Sequence, residues 1–131
     1  MISYTDSTEG LRSEQLAGFF VDWPVRPTAE RHLDLLRRSH AVALALDGDQ
    51  VVGFATATSD GILSAFIPLL EVLPAYQGQR IGTELMRRLL GQLEGLYMVD
   101  VCCDANVEPF YVRLGFQTWD RGMGLRRRQN I

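Results

Sequence analysis

The middle of the chain limits the possible folds most, because an extended stretch, a glycine-containing turn, an amphipathic segment and a second apolar stretch follow one another there. Leu85, Leu89 and Leu93 recur every four residues, which predicts a helix with one apolar stripe. Gly95 is well placed to end this helix, and Tyr97–Cys103 has the aromatic and β-branched residues typical of a buried strand. The sequence therefore predicts a strand, helix, strand unit.

Shorter elements are predicted around this unit, in a chain whose 131 residues suffice for one domain but not for two ordinary ones. The other predicted strands cover Ile2–Thr5, Ala41–Leu46, Val51–Thr58, Ile62 to about Leu73, and a terminal hairpin of Phe116–Trp119 and Met123–Arg127. The predicted helices cover Ser13–Phe20, a segment after Pro27 capped by Thr28, the segment from Ile81 toward Gly95, and a short helix that Asn106 begins and Gly115 ends. We therefore expect a single domain over residues 1–131.

A proline interrupts the longest predicted strand. Pro68 has no amide hydrogen, so we expect this strand to be bent, bulged or unpaired on one side at that point. We expect the irregularity to bear on function.

Composition and charge argue against several classes of protein. The longest apolar runs fall short of the roughly 20 residues that a membrane helix needs, and the acidic N-terminus lacks the basic-then-apolar order of a secretory signal. A net charge of -3 argues against a general nucleic-acid binder. Arg121 and Arg126–Arg128 make the C-terminus locally basic, but such a run of charges is usually a solvated edge. We therefore expect a cytoplasmic protein that binds neither nucleic acid nor membrane.

The two cysteines, Cys102 and Cys103, are neighbours in the sequence. Adjacent residues of a strand face opposite sides, so these thiols are poorly placed to bond each other. We expect both to be reduced core residues.

The turn before the amphipathic helix, Gln77–Gly82, has the composition of a phosphate-binding loop. The first turn of a helix leaves backbone N–H groups without partners and concentrates positive potential, so a pyrophosphate can accept several hydrogen bonds there. Gly78 and Gly82 allow close approach of the backbone, and Thr83 adds a hydroxyl. The turn lacks the Lys-Ser/Thr pair of the nucleotide P-loop and a complete Gly-x-Gly-x-x-Gly, which argues against both of those classes. An ordinary tight connection can have the same composition, so the neighbouring sequence has to decide.

Two blocks of the sequence resemble the GNAT superfamily of N-acetyltransferases. Gln77, Gly78, Ile81 and Gly82 match its acetyl-CoA motif, and Asn106–Phe116 is similar to the family segment that runs from an asparagine through a tyrosine to Gly-Phe. Arg80 departs from the motif, because it stands where the family usually has a glycine. It requires either an ordinary backbone conformation or a strained one there, and its guanidinium can reach a ligand phosphate.

The resemblance implies an α/β (α+β) fold with a mixed, mostly antiparallel central sheet, a splayed strand pair and about four flanking helices. It implies acetyl-CoA as cosubstrate, no metal, and an amine acceptor on a small molecule or a protein. The pantetheine arm would lie between the fourth and fifth strands, along the backbone of Leu70 and Val72, whose side chains can equally belong to the core. The candidate cofactor-binding residues are Leu70, Val72, Gln77, Gly78, Gln79, Arg80, Ile81, Gly82, Thr83 and Asn106, the last of which is equally expected as a helix cap.

Two residues are candidates for catalysis. Tyr111 matches the family's tyrosine near the CoA sulfur, which implies that it protonates the leaving thiolate, although a tyrosine on a short helix is otherwise more often a packing residue. Phe66 occupies the position of the glutamate base of histone acetyltransferases. Glu71 is the only carboxylate in the long strand, and alternation directs it away from Leu70 and Val72, toward an exposed or helix-contacting role. A water chain is the alternative route for the amine's proton.

The acceptor pocket is expected near the first two helices, with Phe19, Trp23 and Phe66. Trp23 and Phe20 can equally be core or dimer-contact residues. The favoured function is an acetyl-CoA-dependent N-acetyltransferase, as a monomer or a homodimer. The alternatives are a catalytically inactive CoA-binding or sensing module and a scaffold or dimerisation domain. The intact Gln77–Gly82 loop argues against the scaffold.

Overall fold

Five strands lie side by side in one sheet, in the same order as in the sequence. The computed structural model describes residues 1–120 and 122–130. The strands are β1 (Ile2–Thr5), β2 (Ala41–Asp47), β3 (Gln50–Ser59), β4 (Ser64–Val72) and β5 (Met98–Val101). Neighbouring strands from β1 to β4 are antiparallel, and β5 runs parallel to β4. The mixed, mostly antiparallel sheet predicted from the sequence is confirmed.

Three α-helices pack around this sheet within the described residues, fewer than the four or so that we expected. They are α1 (Ala29–Arg38), α2 (Ile81–Gln92) and α3 (Glu108–Arg113), and 3-10 helices cover Ser13–Leu16, Pro74–Tyr76, Ala105–Val107 and Arg128–Asn130. The prediction of an α-helix at Ser13–Phe20 is wrong. Its first residues form only a 3-10 turn, because Ala17 is extended and Gly18 adopts a positive φ of 94°.

Helix ends agree with the sequence in one case and differ in another. The Thr28 side chain accepts a hydrogen bond from the Arg31 N–H at 3.2 Å, as expected of an N-cap. Asn106 instead lies inside a 3-10 helix, and Val107 occupies the cap position of α3. The predicted capping role of Asn106 is therefore wrong.

The predicted terminal hairpin does not form in the described part of the C-terminal segment, and Arg121 lies outside the described residues. Residues 116–120 and 122–127 carry no strand. Trp119, Met123 and Leu125 are strongly exposed. Isolated extended segments are marginal in water unless they pair within a larger sheet, so strand-like composition alone was insufficient.

A β-bulge at Pro68 changes the faces of β4. Thr56 pairs with Leu69 and Thr58 pairs with Phe66, so β4 has one residue more than β3 between these pairs. Before the bulge, alternate side chains Ala65 and Ile67 face α2; after it, Leu70 and Val72 do so. The expectation of a bulged strand at Pro68 is confirmed.

Two apolar cores result, one on each face of the sheet. The core under α2 contains Leu85, Met86 and Leu89 against the alanine-rich centres of β2 and β3. The core on the opposite face joins α1 to the segment around the first 3-10 helix, with Phe19, Phe20 and Leu36 against β2 and β3. No helix among the described residues is long and apolar enough to cross a membrane.

A histidine is buried in the second core. His32 is 1% exposed, packs against the rings of Phe19, Phe20 and Phe54, and has no hydrogen-bond partner at either ring nitrogen within the described residues. Burial lowers the pKa of His32 to about 4. The core therefore accommodates only the neutral imidazole.

We expect acid to destabilise the protein through His32. Between pH 6.5 and about 4 the unfolded chain binds a proton that the folded chain does not, so the free energy of unfolding falls as pH is lowered through this window. The full loss is roughly 3 kcal/mol, from ~1.4 kcal/mol per pKa unit. Urea unfolding at several pH values should show this decrease.

Two variants make this test specific. His32→Phe should flatten the decrease, whereas His40→Gln at the exposed second histidine should leave it unchanged. An unchanged decrease in His32→Phe would assign it to carboxylates instead.

Candidate functional site

A cleft opens where β4 and β5 separate. Their pairing ends at Ile67 opposite Val101, while β4 continues to Val72. The predicted splayed strand pair is therefore present. The cleft has a volume of about 590 Å³ and extends from this gap to the N-terminus of α2.

Backbone groups of β4 point into this gap. The Leu73 N–H donates to the Val52 carbonyl of β3, whereas the Val72 carbonyl accepts from the Gln77 side-chain amide at 3.0 Å. Since backbone groups alternate in direction along a strand, those of Leu70 and Val72 face away from β3. They lie where β5 no longer supplies a partner.

The turn between β4 and α2 is tightly constrained. Gly78 has a φ of 81° and Arg80, the N-cap of α2, has a φ of 64°. Of the two backbone conformations that the sequence left open at Arg80, the structure has the strained left-handed one, which costs a residue with a Cβ about 1–2 kcal/mol. The turn is held from the other side by Tyr76, whose hydroxyl donates to Asp47 Oδ2 at 2.6 Å.

The start of α2 presents unpaired backbone donors to the cleft. The first regular helical bond runs from the Glu84 N–H to the Arg80 carbonyl, so the N–H groups of Ile81, Gly82 and Thr83 precede it. All three residues line the cleft. Arg80 also lines it and takes part in none of the ion pairs among the described residues. This end of the cleft is suited to an anion.

Most of the predicted site residues meet in this cleft. All candidate cofactor residues line it except Gln79 and Asn106, which lie outside its lining within the described residues, and both catalytic candidates, Tyr111 and Glu71, line it. The sequence did not single out Val101, Cys102, Cys103, Asp104, Val107 and Phe110 as lining residues. The first three were predicted to lie within the fifth strand, and Val107 and Phe110 lie in the Asn106–Phe116 segment that resembles the family.

Both cysteines differ from their expected place. They are exposed on the wall of the cleft, not buried in the core, because β5 ends at Val101 and neither residue is in a strand. Partial desolvation, together with the nearby carboxylates of Glu108 and Asp104, raises the pKa of Cys103. Its thiol therefore stays protonated at neutral pH.

Tyr111 lies on α3 with its ring packed and its side chain in the cleft wall. It is 9% exposed, and its ring stacks edge-on with Phe110 at 5.0 Å and with Phe116 at 5.6 Å. Burial, with a further contribution from Cys103, raises the pKa of Tyr111 above its usual 10.0. The phenol is therefore a proton donor at any physiological pH.

Glu71 points to the other face of β4, as alternation predicted. Its two carboxylate oxygens accept hydrogen bonds from the consecutive N–H groups of Phe20 and Val21, at 2.9 and 3.2 Å. Phe20 and Asp22 both have a positive φ, near 65°. The carboxylate thus holds a strained loop, which borders a second cleft of about 400 Å³.

Phe19, Trp23 and Phe66 were expected to form the acceptor pocket. Only Trp23 lines the second cleft, whereas Phe19 is buried in the core and Phe66 is half exposed near the start of β4. Within the described residues, no group of three or more His, Cys, Asp or Glu side chains is arranged to hold a metal ion.

Comparisons with known proteins agree with this geometry. A profile described as the acetyltransferase (GNAT) family matches residues 8–116. GCN5-related N-acetyltransferase 1, chloroplastic, from Arabidopsis thaliana is 32% identical over 115 residues, which are 84% of this chain and 58% of the relative. The chain spans about half the length of the curated relatives that it matches.

Solved structures show the same fold. A predicted acetyltransferase from Deinococcus radiodurans R1 is 47% identical, with a TM-score of 0.94 over 98% of this chain and 90% of that one. Aminoglycoside N-acetyltransferase AAC(6')-Iy, solved in complex with CoA, is 18% identical, with a TM-score of 0.65 over 98% and 95% of the two chains. At 18% identity, the similarity between this chain and the aminoglycoside enzyme concerns the fold alone.

The left-handed conformation of Arg80 leads to a stability prediction. Arg80→Ala and Arg80→Gly both remove the guanidinium, but only glycine adopts a positive φ without strain. Arg80→Gly should therefore be the more stable variant by about 1 kcal/mol. Urea denaturation of the two variants measures this difference.

The matched control is Arg87, an exposed residue inside α2. There Arg87→Gly should be less stable than Arg87→Ala by about 1 kcal/mol, since glycine is unfavourable within a helix. The same sign at both positions would contradict the strained conformation at Arg80.

Proposed function

The chain belongs to the acetyltransferase (GNAT) family, and we propose that it transfers an acetyl group from acetyl-CoA to a primary amine of a small molecule or a protein. The observation that carries this proposal is the cleft between β4 and β5, which has a helix start with free N–H groups at one end and a buried phenol in its wall. The relatives favour an acetyltransferase over the catalytically inactive CoA-binding module. The cytoplasmic location and the choice between monomer and homodimer stay predictions.

The first role belongs to the start of α2. The free N–H groups of Ile81, Gly82 and Thr83 would hold the pyrophosphate, and the helix dipole adds to the attraction. Gly82 leaves the backbone open at this point, and Gly78 allows the turn its positive φ. The Arg80 guanidinium can add a charge-assisted hydrogen bond to a phosphate.

The second role belongs to the unpaired edge of β4. Beyond Ile67, the backbone groups of Leu70 and Val72 face the gap that β5 leaves open, and the amides of a pantetheine arm are suitable partners for them. The apolar side chains of the same two residues pack against the α2 core. A backbone role in binding and a side-chain role in the core are therefore combined in one segment.

The third role is proton donation by Tyr111. An amine that attacks a thioester expels a thiolate, which needs a proton. Tyr111 lines the cleft, and its raised pKa keeps its hydroxyl protonated. Its fixed ring, packed between Phe110 and Phe116, holds the donor in one place.

The general base is proposed as Glu71, from its sequence position, with a water chain as the alternative. Glu71 lines both clefts, and each carboxylate oxygen that accepts a backbone N–H keeps a further lone pair. The attacking amine must lose a proton, and Glu71 is the one carboxylate within β4. Phe66 cannot serve in this role because it has no titratable group.

The proposal is tested by release of CoA thiol from acetyl-CoA in the presence of amines, measured against hydrolysis alone, with the variants Gly82→Asp and Gly82→Asn. A Cβ at position 82 would meet only Phe110 and Val72 side-chain atoms at 3.7 to 3.9 Å, so both variants should fold. The aspartate adds a negative charge where the pyrophosphate would bind. We expect at least ~10-fold weaker CoA binding in Gly82→Asp than in Gly82→Asn, equivalent to ~1.4 kcal/mol.

The outcome that would contradict the anion site is equal CoA affinity in the two variants. An aspartate in the first helical turn stabilises a helix, so lower binding in Gly82→Asp cannot be ascribed to a weaker α2. Thermal unfolding of both variants without ligand provides the control.

A second prediction concerns Tyr111→Phe, which keeps the ring and deletes the hydroxyl. A role as proton donor predicts a kcat lower by ~10²-fold or more, with KM for acetyl-CoA nearly unchanged. Because the pKa of Tyr111 is raised above 10.0, the wild-type enzyme should lose no activity from deprotonation of this phenol up to pH 10. The measurement is steady-state kinetics from pH 6 to 10 with an accepted amine.

A structural role for Tyr111 would leave kcat intact. If kcat of Tyr111→Phe equals that of the wild type at every pH while thioester cleavage is rate-limiting, solvent supplies the proton instead. Tyr97→Phe, at an exposed tyrosine, is the matched control for loss of a hydroxyl.

A further inference from the structure

The second cleft lies on the opposite face of β4 from the start of α2, but it shares a wall with the first. The residues that line both clefts are Pro68, Leu70, Glu71, Val72 and Gln77. The shared wall is the part of β4 that has no β5 partner. A molecule in the second cleft is therefore separated from one in the first only by the open end of a strand.

One part of the second cleft is apolar. Trp23 is 42% exposed, so part of its ring is free for contact, and its other side packs edge-on against Phe20 at 4.9 Å. Phe54, Leu69 and Pro74 complete this apolar part. The ring of Phe54 is fully buried behind this part of the cleft and packs against His32.

The charged part of the cleft is acidic only. Asp22 and Glu71 line it, and neither takes part in an ion pair among the described residues. None of its described lining residues is a lysine, an arginine or a histidine. Carboxylates without a cation partner attract an ammonium group and repel a ligand carboxylate.

We infer that this cleft binds the amine acceptor and selects small primary amines that have an apolar or aromatic body and no carboxylate beside the amine. This inference rests on the function proposed above. A cleft of about 400 Å³ is within the range of small-ligand sites, which favours a small molecule over the surface of a folded protein. The apolar body of the amine would pack against Trp23, and its ammonium group would lie near the carboxylates of Asp22 and Glu71.

The loop that carries Asp22 and Trp23 is placed by Glu71. Its carboxylate accepts from the N–H groups of Phe20 and Val21, immediately before these two residues. Asp22 keeps a φ of 66°, a conformation that aspartate and asparagine tolerate better than most residues. The charge of Asp22 can therefore be removed by substitution with asparagine without a change in backbone preference.

Binding can be tested separately from turnover. Trp119→Phe leaves Trp23 as the only tryptophan, since the chain has two. Phenethylamine and phenylalanine, which differ only in the carboxylate, are titrated into this variant saturated with CoA, with Trp23 fluorescence and calorimetry as readouts. We expect phenethylamine to bind at least ~10-fold more tightly. Equal or reversed affinities, or no binding of either compound, would overturn the inference.

The charge argument has its own matched pair of variants. Asp22→Asn should lower the preference for phenethylamine over phenylalanine several-fold, whereas Asp34→Asn, at an exposed position of α1, should leave it unchanged. A preference that persists in full in Asp22→Asn would show that this carboxylate does not set the selectivity.

Turnover then distinguishes this inference from the proposed function. If phenethylamine binds preferentially but neither compound releases CoA thiol, the selectivity of the cleft is supported and catalysis is contradicted. If phenylalanine is acetylated with a kcat/KM equal to that of phenethylamine, the acetyltransferase is supported and the inferred acceptor class is wrong.

Discussion

The bulge at Pro68, a residue without an amide hydrogen, is the constraint that decides which side chains of β4 face each cleft. At this residue β4 gains one residue relative to β3, and its pairing with β5 has just ended at Ile67. In a regular strand the even-numbered Leu70 and Val72 would face away from the side of the odd-numbered Ile67. The bulge reverses this alternation, so all three side chains face α2. Since β5 ends at Val101, the part of β4 beyond the bulge also keeps one unpaired edge. A strand without the bulge would give Glu71 the opposite orientation.

Backbone strain is concentrated at the edges of the two clefts. The three non-glycine residues with positive φ among those described are Phe20, Asp22 and Arg80. Two of them lie in the loop beside the second cleft, and the third caps α2 at the end of the first. Each strained conformation persists because surrounding contacts fix it: the Glu71 carboxylate and a buried aromatic cluster for the loop, and the packed helix for Arg80.

Features of local pattern could be predicted from the residues alone, the sheet and its splayed strand pair could be predicted only through the family resemblance, and the exact ends of strand pairing could not be predicted. The stripe of α2, the hairpin of β2 and β3 and the Thr28 cap each arise within a few residues, so periodicity and composition suffice. The exposure of Cys102 and Cys103 depends on where β5 loses its partner, which no pattern within Tyr97–Cys103 records. The backbone conformation of Arg80 was open for a similar reason, since the helix and strand that it joins select it.

Glu71 shows why a residue type and a strand position do not by themselves define a role. Glu71 was a candidate for a base because it is the only carboxylate in the long strand, and both of its oxygens bind the backbone of Phe20 and Val21. Removing the side chain would leave two N–H groups without their partner and would release the left-handed loop that carries Asp22 and Trp23. A loss of activity in a Glu71 variant would therefore not identify a base by itself. Only a change in the pH dependence of kcat, with the affinity for the amine preserved, would separate proton transfer from the placement of this loop.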